Sequence, residues 1–242
     1  LSGGIDSSLV IAMMTKLSKE PISTFTIGFN VKEYDESKEA EAVANFLKTD
    51  HHCKYVDEQD LINLLPTFLD NFDEPFFDSA AFPTMAVSKL AKEHVSVVMT
   101  GDGGDELFGG YHYYKIIRML GKFQSLPDSL KKVTSLLTSL IPSHKFKLLG
   151  SAFNEDSVSR AFAFSRSIAK DFNNILFDKV YDDTISMKDL FEKTADCFPK
   201  NLTASETGMR LDTLFTLNDD YLQKTDMATM AYSLEARTPF LS

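Results

Sequence analysis

Two glycine-rich clusters carry the residue types needed for nucleotide chemistry. The first, Leu1-Ser2-Gly3-Gly4-Ile5-Asp6-Ser7-Ser8, stands immediately before a stretch of helical apolar spacing. Adjacent glycines let successive backbone N–H groups turn toward one point, and Ser7 and Ser8 fall where a helix N-terminus offers further donors and the positive end of its dipole. Such an arrangement cradles an anion. Asp6 is unexpected within it, because a carboxylate beside phosphate oxygens is repelled by on the order of 4 kcal/mol in a partly screened site. A Mg2+ ion bridging the two reverses that sign. Taken alone, the same residues also fit a capped helix after a tight turn.

The second cluster runs from Thr100 through Gly101, Asp102, Gly103, Gly104, Asp105 and Glu106 to Gly109, Gly110 and Tyr111, directly after the apolar run Val95–Met99. Ligands of open parallel sheets bind outside the carboxyl ends of the strands, and both glycine loops leave from such ends, so they are expected to face one crevice. Three carboxylates within five residues are costly unless a cation neutralises them. One aspartate from each loop, Asp6 and Asp105, would give Mg2+ the hard oxygen ligands it prefers while phosphates supply the rest. The bland alternative is a solvated acidic turn.

Other nucleotide and hydrolase signatures are missing. There is no GxxxxGK(S/T), and Gly101-x-Gly103 is followed by Glu106 where a dinucleotide site would place a third glycine. HExxH and GxSxG are absent as well, which removes the zincin and serine-hydrolase readings. His51-His52 is not read as a metal pair, because adjacent strand residues point to opposite faces. Glu235 and Arg237 are expected to form a buried or half-buried ion pair bracing the last loop. Met209, Met227 and Met230 suit helix packing. Cys53 and Cys197 lie in no metal-spaced pattern and are expected to be reduced and buried.

The elements that must position these residues follow from periodicity. Leu9, Val10, Met13, Met14 and Leu17 share a helical face, and Thr24–Phe29 alternates as a strand. Ala40, Val43, Ala44 and Leu47 form an amphipathic stripe, and residues 52–56 are extended. Leu61, Leu64, Leu65, Phe68 and Leu69 predict one helix ended by Asp73-Glu74-Pro75, a further helix begins at Ala86, and Val95–Met99 is an apolar run of strand length with β-branched content. Alternation of this kind predicts an α/β fold, a parallel sheet with flanking helices. Beyond Gly110 the spacing is helical, with 111–235 mostly helix, divided by Pro127, Pro142 and Pro199, and a loop expected at 142–157. The organisation expected is one domain over 1–242, with an α/β nucleotide-binding part at 1–110 and a mainly helical part at 111–242.

Bulk properties agree. At about 150 residues per domain, 242 residues suffice to bury a core without crosslinks. Lys+Arg 25 against Asp+Glu 35 gives a net charge of −10, which disfavours non-specific attraction to nucleic acid or anionic lipid. No apolar run reaches the roughly 18 residues of a membrane span, so a cytoplasmic location is expected. The chain opens on Leu1 inside its first motif, and a segment upstream is expected.

On these residues a resemblance can be named. Ser2-Gly3-Gly4-x-Asp6-Ser7 is similar to the pyrophosphate loop of N-type ATP pyrophosphatases. The run Thr100–Tyr111, together with Ser233-Leu234-Glu235-Ala236-Arg237-Thr238-Pro239-Phe240-Leu241, resembles the synthetase domain of glutamine-dependent asparagine synthetases, an adenine nucleotide alpha hydrolase-like fold. Tyr34-Asp35-Glu36, His51-His52, Asp73-Glu74-Pro75-x-x-Asp78-Ser79-Ala80 and Asp226-x-x-x-Met230-Ala231 extend the match, while 115–215 matches nothing named.

The resemblance implies an aspartate side-chain carboxylate attacking the α-phosphorus of ATP, release of pyrophosphate, and capture of β-aspartyl-AMP by ammonia to give asparagine. It implies that Ser2, Gly3, Gly4, Ser7 and Ser8 hold the β- and γ-phosphates and that Asp6 and Asp105 bind Mg2+. Leu1, Ile27, Thr100 and Gly101 would surround the adenosine, and Asp102 would position the nucleophile or shuttle its proton. Ammonia would come from a glutaminase domain that this chain does not begin with. A catalytic lysine is expected beyond Ser242, so the isolated chain is expected to be inactive. Its incomplete first strand invites pairing with another chain, a homodimer among the outcomes. Two further readings stay open: nitrogen transfer to another carboxylate, such as a sugar acid of surface polysaccharide, and a non-catalytic nucleotide-binding module. A tRNA-thiolating enzyme lacks its expected cysteines and basic face.

Overall fold

In the computed structural model, residues 1–76, 78–124, 127, 157–159, 162 and 187–242 are described. They fall into two compact units, Leu1–Asp105 with Thr216–Ser242, and Glu106–Phe215. Of the expected 142–157 loop, all but Ser157 lies outside the described residues.

The first unit opens with α1 (Ile5–Leu17), followed by β1 (Ser23–Phe29), α2 (Ser37–Leu47) and β2 (Asp50–Val56). Strands β1 and β2 pair in parallel, from Ser23 opposite Asp50 to Phe29 opposite Val56, with α2 as the crossover that parallel pairing requires. The α2 stripe is confirmed, with Ala40 and Ala44 buried. Asp35 fixes its start, Oδ1 accepting from the Phe29 and Ser37 N–H groups. In α1 the buried residues are Val10 and Ile11, whereas Leu9, Met13 and Leu17 of the expected inward face are exposed. Residues 9–14 of the helix are apolar without a break, so periodicity there selects no face.

The helix expected over 61–69 is two, α3 (Glu58–Ile62) and α4 (Leu65–Asn71). Pro66 supplies the reason, since a proline lacks the N–H and crowds the carbonyl of the preceding turn. Helix α5 (Ala81–Lys92) starts five residues earlier than its apolar spacing suggested, and β3 is confined to Val97–Met99. Strand β3 leaves Val97 and Met99 exposed. Its partner is a strand that periodicity missed, β4 (Glu235–Arg237), parallel to it and placing Val97 opposite Glu235. The Glu235–Arg237 ion pair forms at 2.8 Å, but along one face of β4 and more than half exposed on both sides, so it is neither the buried nor the half-buried brace expected.

Core packing joins these pieces. Val56, Leu64, Phe72, Ala81, Met85, Ala86 and Ala228 form one buried cluster, against which Ile27 and Met227 pack; Phe25, Ala91 and Leu234 form another. A fully buried side chain the size of Met85 contributes roughly 1.5–3 kcal/mol. Met230, by contrast, is exposed, as are Cys53 and Cys197, which corrects the packing and burial expected of them. His52 lies over its register partner Phe25, with ring centroids 5.3 Å apart, while His51 bonds Thr24 Oγ1 through Nδ1 at 2.9 Å.

Within the second unit lie α6 (Gly104–Phe108) from Glu106 onward, α7 (His112–Gln124), α8 (Met187–Asp196) and α9 (Ala204–Leu211). Tyr114, Ile117, Phe162, Phe191 and Leu211 are its buried cluster, with Met209 packed against it. Buried Asp212 accepts the hydroxyls of Tyr113 and Tyr114. An 11-residue π-helical stretch, Asp212–Leu222, leads to α10 (Gln223–Met230) of the first unit, and the chain ends in a 3-10 turn, Pro239–Leu241. No helix among the described residues is long and apolar enough to cross a membrane.

Candidate functional site

The first glycine loop is seated beside β1. The Leu1 nitrogen donates to the Phe25 carbonyl at 2.8 Å, and the Leu1 carbonyl accepts from Thr26 Oγ1 at 2.5 Å. Ser2 Oγ lies 3.0 Å from Ser7 Oγ and accepts from the Gly4 N–H at 3.2 Å, which closes the loop over the start of α1. Gly4 is the N-cap of α1 and supplies no side-chain cap, so the first-turn N–H groups of a 13-residue helix are left to another acceptor. Ser8 does not join them outward: its hydroxyl donates back to the Gly4 carbonyl at 2.6 Å.

The two leading glycines differ in purpose. Gly3 has φ +79, and a Cβ there would lie 2.6–2.9 Å from Glu39 and the Ala40 nitrogen, so it is glycine because α2 crosses it. A Cβ on Gly4 would meet only Ser2 Oγ, at 3.2 Å. Gly3→Ala is therefore expected to destabilise the fold by about 2–4 kcal/mol, and Gly4→Ala to leave melting almost unchanged while weakening ATP binding. Thermal melts and calorimetric ATP titration of the two variants check this contrast.

The second loop is pinned by the last strand. The Thr100 N–H donates to the Arg237 carbonyl at 2.9 Å, and Gly103, at φ +88, packs against the Leu241 side chain. The two glycine loops touch directly. A Cβ on Gly101 would stand 2.9 Å from the Ser7 nitrogen, and one on Gly104 would stand 2.5 Å from Asp6 Cγ. Asp6 thus lies against the segment that carries Asp105, whose carboxyl is pushed up by burial and then by the Asp6 charge.

The acidic run is differentiated by its partners. Glu106 is buried and accepts from Tyr111 Oη at 2.8 Å, so it is not one of three carboxylates awaiting a cation. Asp102 Oδ2 accepts two hydroxyls, Thr100 Oγ1 at 2.9 Å and Thr225 Oγ1 at 3.1 Å. Asp6 and Asp105 remain as the facing pair. Among the described residues no group of three or more His, Cys, Asp or Glu side chains forms a metal centre. Two carboxylates fit Mg2+, which takes one or two from the protein and the rest from phosphates and water.

Of the candidate residues, Leu1, Ser2, Gly3, Gly4, Asp6, Ser7 and Ser8 come together with Thr100, Gly101, Asp102 and Asp105. Ile27 is half-buried on β1, its side chain packed against the core cluster. Sequence reasoning missed Lys224 and Thr225. Lys224 Nζ lies 2.6 Å from Asp78 Oδ2 in a mostly buried pair, next to the threonine that reaches Asp102. The signal was the polar Lys-Thr-Asp opening of α10, where Asp226 alone drew notice.

Comparison with known proteins points to one family. The family model described as asparagine synthase matches residues 1–242. Asparagine synthetase (glutamine-hydrolyzing) 1 of Bacillus subtilis is 32% identical over all of this chain and 38% of its own length. A Methanocaldococcus jannaschii protein, provisionally named asparagine synthetase (glutamine-hydrolyzing) 2, is 36% identical over 95% of this chain and 44% of its own. The chain spans about two fifths of the length of such relatives.

Proposed function

The chain belongs to the asparagine synthase family, and on that premise we propose that it is the synthetase portion of an ATP-dependent amide-forming ligase that makes asparagine from aspartate and ammonia. The observation that carries this reading is the direct packing of Gly101 and Gly104 on Asp6 and Ser7, which puts two phosphate-type loops and two carboxylates in one place. Ser2, Gly4 and Ser7 bind the β- and γ-phosphates through hydroxyls and the uncapped first turn of α1. Leu1, Thr100 and Gly101 border the nucleoside. Asp6 and Asp105 would hold Mg2+, which when bound neutralises charge on the departing pyrophosphate.

One oxygen of the aspartate β-carboxylate attacks the α-phosphorus, and the bond to the β-phosphate oxygen breaks, giving β-aspartyl-AMP and pyrophosphate. Ammonia then attacks the acyl carbon and AMP leaves. The attacking nitrogen must shed a proton, and Asp102 Oδ1 takes it, since Oδ2 already accepts two hydroxyls. The ammonia is supplied by glutamine hydrolysis elsewhere in the full-length protein. Aspartate labelled with 18O in its side-chain carboxylate tests the route: the full-length protein should place one labelled oxygen in AMP. Unlabelled AMP, or label in phosphate, would overturn it.

A further inference from the structure

Helix α10 reaches the candidate site through Thr225 and is anchored beside it through Lys224. Thr225, 7% exposed on α10, sends its hydroxyl to Asp102 Oδ2 across 123 residues of sequence. Lys224, the residue before it, is tied to Asp78 Oδ2 at 2.6 Å with side-chain exposures of 13% and 21%, and lies 4.9 Å from the Tyr221 ring centre. Asp78 is itself held, because its Oδ1 accepts the Ala80 N–H at 2.9 Å where the chain turns into α5. The opening turn of α10 is therefore fixed by an ion pair at one residue and delivers a hydroxyl at the next.

We infer that Thr225 is a positioning residue for Asp102, and that the Asp78–Lys224 pair holds the helix that presents it. This rests on the proton-accepting reading of Asp102 given above. A carboxylate hinged only by its own loop turns about χ2, and either oxygen can face a substrate. Two hydroxyls on Oδ2, one from the end of β3 and one from α10, stop that rotation. They leave Oδ1 as the oxygen presented for the proton, since among the described residues both hydrogen bonds to Asp102 fall on Oδ2. Alignment of this kind affects the step in which the proton moves and not the adenylation before it.

The test uses the full-length protein and two readouts, aspartate-dependent exchange of labelled pyrophosphate into ATP, and asparagine formed with ammonium chloride. Thr225→Val keeps the volume and removes the hydroxyl; it is expected to slow asparagine formation about tenfold or more while exchange stays within about twofold of the unsubstituted protein. Thr225→Ser, which keeps the hydroxyl, restores most of the rate. If Ser is as slow as Val, or if both readouts fall together with a lower melting temperature, the residue serves packing alone and the inference is overturned. Thr225→Ala supplies the same comparison should the valine variant fail to fold. Asp102→Asn separates the two levels. If it is slow in asparagine formation while Thr225→Val is not, the reading of Asp102 stands and the role of Thr225 falls; if Asp102→Asn retains the full rate, both fall.

Discussion

Asp6→Asn and Asp105→Asn are each expected to slow adenylation by the full-length protein about 1000-fold at limiting Mg2+, a loss of about 4 kcal/mol of transition-state stabilisation. Both side chains lie where the loops touch, and neither serves the hydrophobic core, so the fold should survive. Stability at neutral pH sharpens the test. Burial and the Asp6 charge hold the Asp105 carboxyl above its ordinary range. The folded chain then binds that proton more tightly than the unfolded one does, and without a cation it loses stability as pH rises through the raised value. Asparagine removes that loss. Asp105→Asn should accordingly melt no lower than the unsubstituted protein at pH 7 without Mg2+, and gain less from added Mg-ATP. A variant that keeps the full adenylation rate at limiting Mg2+ excludes that residue as a ligand.

Gly104→Ala is expected to reduce ATP affinity about 100-fold, close to 2.8 kcal/mol, with little change in melting temperature. Gly104 opens α6, where alanine is the better helix former by about 1 kcal/mol, so local propensity argues for a more stable chain. The added methyl, however, would lie 2.5 Å from Asp6 Cγ and within 2.7–2.9 Å of its oxygens. The carboxylate must move from its place beside Gly104. Gly101→Ala presses instead on the backbone of α1, 2.9 Å from the Ser7 nitrogen and 3.2 Å from Asp6 carbon, and should cost both affinity and stability. Calorimetric titration with Mg-ATP, paired with thermal melts, separates the two. Unchanged affinity in Gly104→Ala would mean that Asp6 does not serve the nucleotide from its place against Gly104.

Local chemistry was legible in the sequence wherever it was dense. Both glycine loops, the Asp6 and Asp105 pair and the β1–α2–β2 unit could be read because short-range pattern and structure agree there. What escaped reading depends on distant pairing. Glu235-Ala236-Arg237 has no strand period of its own, and only its register with Val97–Met99 makes it β4. Thr225 looks like an ordinary helical residue until its hydroxyl is seen on Asp102. The contact of Gly3 with Glu39 and Ala40 of α2 also escaped reading, since a pair of glycines before a helix does not say that another helix crosses it. Cys53 and Cys197 were placed inside on residue type alone, which says little for single positions on a strand edge or a helix end.

The central claim is that the two loops hold ATP for attack at its α-phosphorus by an amino-acid carboxylate. Exchange of labelled pyrophosphate into ATP by the full-length protein, with and without aspartate and Mg2+, addresses it most directly. Exchange that requires both is the expected result. ADP and inorganic phosphate as products, or exchange indifferent to aspartate, would contradict it.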